Sequence, residues 1–464
     1  MQLAADDVLA SVEDAIARAS QGGARLASVT VPVEDVDPSA VVLASRLADD
    51  RWFCWEQPEG EFALAALGSA HEVISRGAER FAEVARDCGE LIRTAERDEP
   101  DGLPAGAGPV WTGGFAFAPD GGVEPQWSSL PPALMVLPEV SLLRRGTESF
   151  LTANVALSRG IDPEAALSSI RRRIGGLRER PIGPLDPEPT GRAEITSPHP
   201  PGRYEDLVAE ATRRIRAGGI EKTVLARELI VQASSAHDPA SLYGALRELF
   251  PSCFCFVCGT PEAAFIGASP ELLIRRRGPV AATVALAGST RRSADPAVDD
   301  HLGQQLMASP KDRIEHEIVV RRIERTLRPH SVWVQGEPDP VLIKVANIQH
   351  LATPIRAQLA SARSAISLAG SLHPTPAVGG EPREAALAVI SETEGLDRGW
   401  YAGPVGWMDA ADDGEFCVAL RSALLRDRSA HLYAGAGIVA DSDPSAELAE
   451  TEIKFGALLP LIAG

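Results

Sequence analysis

Positive charge is the first thing this sequence is short of. Its 464 residues carry 45 Lys and Arg against 64 Asp and Glu, a formal net charge of -19. Broad nucleic-acid binding needs a basic footprint and is excluded as a function class. An anionic substrate would have to be met by a few local cations. Cysteine is also sparse, since six in a chain of this length is far below the density of a disulfide scaffold. No apolar run approaches the roughly 20 residues of a membrane span. Met1–Ala10 is acidic and lacks the basic and apolar regions of a signal peptide. A cytoplasmic protein with no membrane partner is therefore expected. Internal repeats and low-complexity tracts are missing too.

Apolar residues are plentiful. At 45% hydrophobic the chain can bury a large core. Its length suits about three domains or one large α/β unit. Pro181–Gly202 holds seven prolines and little apolar content, and is the one clear linker. It separates a first part, residues 1–195, from a motif-rich second part, residues 196–464. In the first part, Trp52–Trp55 and Phe62–Leu67 read as a hairpin with Pro58 and Gly60 in its turn. Val41–Leu47 reads as a short strand or connector, and His71–Ile92 as a helix. Asp162, just before Pro163, is placed to cap the helix that follows. In the second part, Tyr204–Ala217 and a long stretch, Asp299–Leu327, read as helices, while Lys222–Val231 and a meander over Val405–Ala434 read as strands. Strands in hairpins with interspersed helices indicate an α/β fold of the α+β type. Cys253, Cys255 and Cys258 invite a zinc reading, but Cys253-Phe-Cys-Phe-Val-Cys258 looks like a buried strand. Period two would turn Cys258 away from the other two.

The stretch Gly435–Lys454 is the element around which the rest is organised. Gly435 and Gly437 read as a glycine turn that offers close backbone approach to a ligand. Asp443 or Ser445 caps a helix that starts at Pro444. Glu447, Glu450 and Lys454 follow at offsets of three and four, on one helical face. Taken alone, such a face is a solvated surface with one ion pair. Asp312 and Glu315 form a second acidic pair three residues apart. Four carboxylates gathered without a cation would repel one another, and Mg²⁺ suits such an oxygen-rich set.

Eight motifs then stand in order: Lys222-Thr-Val-Leu-Ala-Arg227, Gly267-Ala-Ser-Pro-Glu-Leu272, Leu286-Ala-Gly-Ser-Thr290, Lys311-Asp-Arg-Ile-Glu-His316, His350-Leu-Ala-Thr353, Leu372-His-Pro-Thr-Pro-Ala377, Arg421-Ser-Ala423 and Gly435–Lys454. In this order the chain resembles the chorismate-utilising enzymes, which include anthranilate synthase component I, and among them the isochorismate synthases most. The resemblance is dense over residues 203–460 and looser around Trp111–Ala118. It implies one large chorismate-binding domain, with two subdomains around antiparallel sheets covered by helices. It also implies Mg²⁺ as cofactor, chorismate as the small-molecule partner, and a monomer.

By position, the resemblance makes Glu315 and Glu450 the main metal carboxylates, with Asp312 and Glu447 supporting through water. Lys454, Gly435 and Gly437 would face the ring carboxylate, and Arg421 and Tyr401 the enolpyruvyl carboxylate. His350 would line the ring, with Gly288 and Ser289 on its C4 side. Isochorismate formation adds water at C2 and expels the C4 hydroxyl. Lys222 would be the base and Glu271, kept protonated, the acid. Ala377 would lie beside the ring where salicylate- and anthranilate-type relatives have Thr, which favours release of isochorismate before pyruvate is lost. The product class serves menaquinone and siderophore synthesis alike.

Salicylate synthases share Lys222 and Glu271 and are the nearest alternative. Anthranilate and aminodeoxychorismate synthases use ammonia. Anthranilate-type members have Gln where this chain has Lys222, and no nucleophilic-Cys elbow of an amidotransferase is present. Gly435-Ala-Gly-Ile-Val-Ala440 fits a dinucleotide pattern, but no βαβ unit surrounds it. A catalytically dead scaffold would be expected to have lost Lys222 or Glu271.

Overall fold

The computed structural model describes residues 2–157, 162–186, 192–345 and 348–464, with side chains from residue 8 onward. Among these residues the backbone forms two large sheets, one of 13 strands and one of 10. Pairing is antiparallel except between Leu26–Val33 and Glu96–Asp98. Both sheets draw strands from both sides of the proline-rich segment. In the larger sheet Phe254–Gly259 pairs with Trp52–Gln57, and in the smaller one Pro404–Asp409 pairs with Val110–Phe115.

The two sheets share one core. Trp55 of the larger sheet and Trp111 and Trp407 of the smaller are fully buried in the same apolar cluster. Burying a large apolar side chain is worth about 1.5–3 kcal/mol, so these indoles fix the sheets against each other. The far face of the larger sheet carries a second cluster, covered by Pro38–Ser45, Pro239–Leu249 and Leu459–Ala463. Strand Phe254–Gly259 shows the division. Cys255 and Val257 point into the second cluster, whereas Phe254, Phe256 and Cys258 point into the first. Cys258 thus faces away from Cys253 and Cys255, as period two requires, and all six cysteines are free and buried.

Capping follows the sequence reading. Asp162 accepts the Glu164 amide, and Asp443 rather than Ser445 caps Pro444–Phe455. The turn between the strands Trp52–Gln57 and Phe62–Leu67 contains Pro58 and Gly60. Four local expectations are corrected. Val41–Leu47 belongs mostly to a buried helix, Pro38–Ser45, started by Asp37 and Pro38. His71–Ile92 opens as a strand, His71–Ser75, before its helix, Arg80–Arg93. Asp299–Leu327 is two helices, Pro296–Ala308 and Pro310–Leu327. Ser309 is extended there and caps the second, because Pro310 has no N–H to continue the first. Gly435 and Gly437 lie within strand Ser429–Ile438 rather than in a turn. The second half of the proline-rich segment joins the fold through strand Glu194–Thr196 and helix Pro201–Arg216. Residues 187–191 of that segment lie outside the described residues.

Candidate active site

Two of the places where the chain crosses from one sheet to the other lie side by side. Ala264–Ser269 belongs to the larger sheet and Leu272–Arg277 to the smaller, so Pro270 and Glu271 make the first crossing. Gly414–Val418 and Ser422–Arg426 are divided in the same way, and Ala419–Arg421 make the second. The Val418 amide donates to the Glu271 carbonyl at 3.0 Å, and the Ala268 amide to the Arg421 carbonyl at 3.1 Å. The Ser269 hydroxyl bridges them, accepting the Glu271 amide and donating to the Val418 carbonyl. Arg421 has φ 47°, in the left-handed region, a conformation that side-chain-bearing residues keep only where the surroundings enforce it.

Glu271 and Arg421 are both buried. Burial pushes the Glu271 carboxyl up to about 7, against the opposing pull of Lys222, Arg421 and Lys454. Burial also lowers the Arg421 guanidinium from its usual range. Tyr401 is buried, pushed up to about 12 by its burial while Arg398 and Arg421 work against the shift, and its ring stacks on Tyr433.

Lys222 begins the strand Lys222–Gln232. It is fully buried, with Nζ 2.8 Å from Glu315 Oε1, but Nζ makes no well-directed hydrogen bond. The neighbouring strand must be bare at this point. A Cβ on Gly437 would land on Glu315 Oε1 and 2.9 Å from Lys222 Cε. Gly437 therefore supplies the room for the Lys222–Glu315 pair.

The four acidic residues come from the first two turns of two helices that each start with a capping residue and a proline, Asp312 and Glu447 from the first turn and Glu315 and Glu450 from the second. Glu450 pairs with Lys454 at 2.6 Å and accepts the Ser289 hydroxyl at 3.0 Å. Lys454 also donates to the Gly435 carbonyl at 2.8 Å. Glu447 pairs with Lys311 at 2.7 Å. Burial opposes ionisation of Glu450, yet Lys454, Ser289 and Lys311 hold it below its usual value. Glu447 is raised by burial and by Glu450. Asp312 is raised by burial, with Glu315 and Glu450 adding to the effect. These mutual effects place the four carboxylates within one electrostatic neighbourhood.

No three of them converge as a ready-made metal cage among the described residues, because Lys222, Lys311 and Lys454 each hold one. The donor chemistry nevertheless fits a hard divalent cation. All four groups are oxygen donors, and among the described residues Asp312 forms no ion pair with a lysine. Gly288, at φ 73° in a strand irregularity, leaves the space over Asp312 open, where a Cβ would come within 3.1 Å of the Asp312 Cβ. His350 faces the Gly288 carbonyl through Nδ1 at 3.3 Å, while its Nε2 is buried and unpartnered. Burial, then Arg421 and Lys454, push this imidazole down to about 3, so it is neutral.

Four contributing residues were not assigned from the sequence. Thr375 faces Glu271 and helps to restrain its upward shift. Lys311 was visible only as part of a motif. Glu394 and Arg398 form a buried pair at 2.6 Å. Arg398 donates to the Val224 and Val378 carbonyls, and Glu394 accepts the Ala226 amide. This pair ties the Lys222 strand to the loop carrying Thr375 and Ala377. Its i,i+4 spacing was a signal that could have been read. Ala377 packs half-buried against the central core on that loop.

A family model described as chorismate binding enzyme matches residues 11–463. The chain is 38% identical over 439 residues to a Pseudomonas aeruginosa protein named salicylate biosynthesis isochorismate synthase, covering 93% of this chain and 89% of that one. It is 33% identical over 445 residues to the Bacillus subtilis isochorismate synthase MenF, covering 95% and 94%. Among solved structures, the menaquinone-specific isochorismate synthase MenF from Escherichia coli superposes with a TM-score of 0.79 at 26% identity, covering 97% of this chain and all of the other.

Proposed function

The chain belongs to the chorismate-binding enzymes, and from that premise we propose that it is an isochorismate synthase, an isomerase that converts chorismate to isochorismate. The observation that carries this reading is the pairing of two buried groups at one site. Lys222, fully buried beside Glu315, is the base. Glu271, whose carboxyl burial lifts to about 7, is the acid.

Water attacks C2 of the ring with Lys222 as the base that takes its proton. The double bonds shift, and the C4 hydroxyl departs as water with the proton of Glu271. One water enters and one leaves, so the step is redox-neutral, and proton return from Lys222 to Glu271 resets the site. Arg421, with its planar guanidinium, suits the enolpyruvyl carboxylate, with Tyr401 beside it. Lys454 and the backbone at Gly435 and Gly437 face the ring carboxylate. His350, neutral, lines the ring, and Gly288 and Ser289 border its C4 side. Ala377 adds no hydroxyl that would hold the product for pyruvate loss.

Glu315 and Glu450, supported by Asp312 and Glu447, would hold Mg²⁺, which when bound supplies charge neutralisation for the carboxylate cluster and for the ring carboxylate. Residues 196–464 carry all of these groups, and residues 1–195 complete the sheets around them. The reading extends to a monomer acting in the cytoplasm. Among the described residues no helix is long and apolar enough to cross a membrane. The test is the conversion of chorismate by the purified chain with Mg²⁺, followed by chromatography. Formation of isochorismate supports the reading, and unchanged chorismate rejects it.

A further inference from the structure

The loop that carries Thr375 also borders a second cationic cavity. It has a volume of about 380 Å³ and is lined by Arg80, Phe81, Phe117, Arg363, His373 and Arg383, among others. Arg80 is 3% exposed. Its two terminal nitrogens donate to the Gly77 and Ala116 carbonyls, but its Nε is buried without a partner. The Nε of Arg363 is likewise buried and unpartnered. Arg383 is half-buried at the first residue of helix Arg383–Thr393.

The charges here are not balanced. Burial and then Arg383 push the Arg80 guanidinium down to about 10, with Asp120 the acidic group that opposes this. Burial and then Arg322 push Arg383 down, with Glu384 opposing. None of the three arginines forms an ion pair among the described residues. Partly buried like charges without a counter-charge are costly, and here they occur in a chain of net charge -19, where carboxylate partners are abundant. A bound anion would relieve that cost.

We propose that this cavity is a binding site, separate from the catalytic one, for a small phosphate-bearing anion held by Arg80, Arg363 and Arg383. Guanidinium forks match phosphate oxygens in pairs. The amino end of helix Arg383–Thr393 at the cavity wall adds a favourable dipole. Phe81, Phe117 and Leu387 leave an apolar wall for an organic remainder, and the volume lies in the range of small-molecule pockets. His373 lines the cavity while Thr375, two residues on, faces Glu271, so one loop serves both sites. The proposal does not depend on which reaction the catalytic site performs.

The probe is inorganic phosphate, titrated into the purified full-length chain by calorimetry and by thermal melting, against chloride at matched ionic strength and with saturating chorismate present. Phosphate raises the melting temperature above the chloride control. Arg363→Ser and Arg383→Ser, made separately, each weaken phosphate binding by roughly tenfold or more, as loss of a charged hydrogen bond does. Among the described residues neither side chain has an ion-pair partner to lose, so both variants fold and keep native turnover in phosphate-free buffer. Absence of a phosphate-specific shift overturns the proposal. So does binding that chorismate displaces, or binding of undiminished strength in both variants, since either would place the phosphate at Arg421 and Lys454 instead.

Discussion

Lys222 Nζ stands 2.8 Å from Glu315 Oε1, over the bare Cα of Gly437. The catalytic base and the metal carboxylate proposed above are thus one buried contact, and a glycine in the adjacent strand makes it possible. Gly437→Ala forces a methyl into that space, where it meets Glu315 and Lys222 at once. Overpacking of this kind costs about 1–3 kcal/mol. The variant should fold with a lowered melting temperature and lose turnover far beyond what that loss explains. Denaturant unfolding and steady-state kinetics on the same preparation check it, and native-like kcat would remove Gly437 from the site.

Glu271 sets the pH dependence. The acid must be protonated, and its carboxyl is raised to about 7, so kcat should fall as pH rises through about 7, by tenfold per unit on the alkaline side. Glu271→Gln should lose roughly 10²–10⁴-fold, the usual span for general acid catalysis. Stability moves with it. Between the ordinary carboxyl value and about 7 the folded chain binds more protons than the unfolded one, so native stability falls as pH rises across that window. Glu271→Gln should abolish that part of the decline, and melting curves from pH 4 to pH 8 measure it. A pH-independent difference between variant and native chain would contradict the assigned environment.

Much of this site can be read from spacing. Asp312 and Glu315, and Glu447, Glu450 and Lys454, fall on helical faces because the offset of three or four residues is local. What spacing does not reveal is pairing across the fold. Lys311 meets Glu447 from 136 residues away, and nothing near Lys311 announces it. Glu271 and Arg421 stand together because two strands change sheets at the same place, a long-range relation that no short window contains. Where local chemistry was misread, one residue decided the matter. Pro310 splits the long helix, and Asp37 with Pro38 starts a helix where apolar residues alone read as a strand.

Removal of the metal should be reversible. EDTA should abolish turnover and Mg²⁺ restore it, and Mg²⁺ should raise the melting temperature of the native chain. Glu450→Ala should lose activity and the Mg²⁺-dependent shift but remain folded, because it leaves Lys454 still bonded to the Gly435 carbonyl and removes one charge from a crowded acidic group. Full activity of this variant would remove Glu450 from the metal site.

Arg421 separates binding from backbone strain. Arg421→Ala and Arg421→Gly should both raise KM far more than they lower kcat, since each removes the carboxylate anchor. At φ 47° the glycine variant should be more stable than the alanine variant by about 1 kcal/mol. Chemical denaturation of the pair measures that difference, and equal stabilities would show that the left-handed backbone carries no cost at this crossing.

Product analysis bears most directly on the central claim. The purified chain is incubated with chorismate and Mg²⁺, the mixture is resolved by chromatography, and pyruvate is followed with a lactate dehydrogenase coupled assay. The expected result is isochorismate in reversible equilibrium with chorismate, approached from either side, with little salicylate or pyruvate. Stoichiometric salicylate and pyruvate would contradict it and make the chain a salicylate synthase.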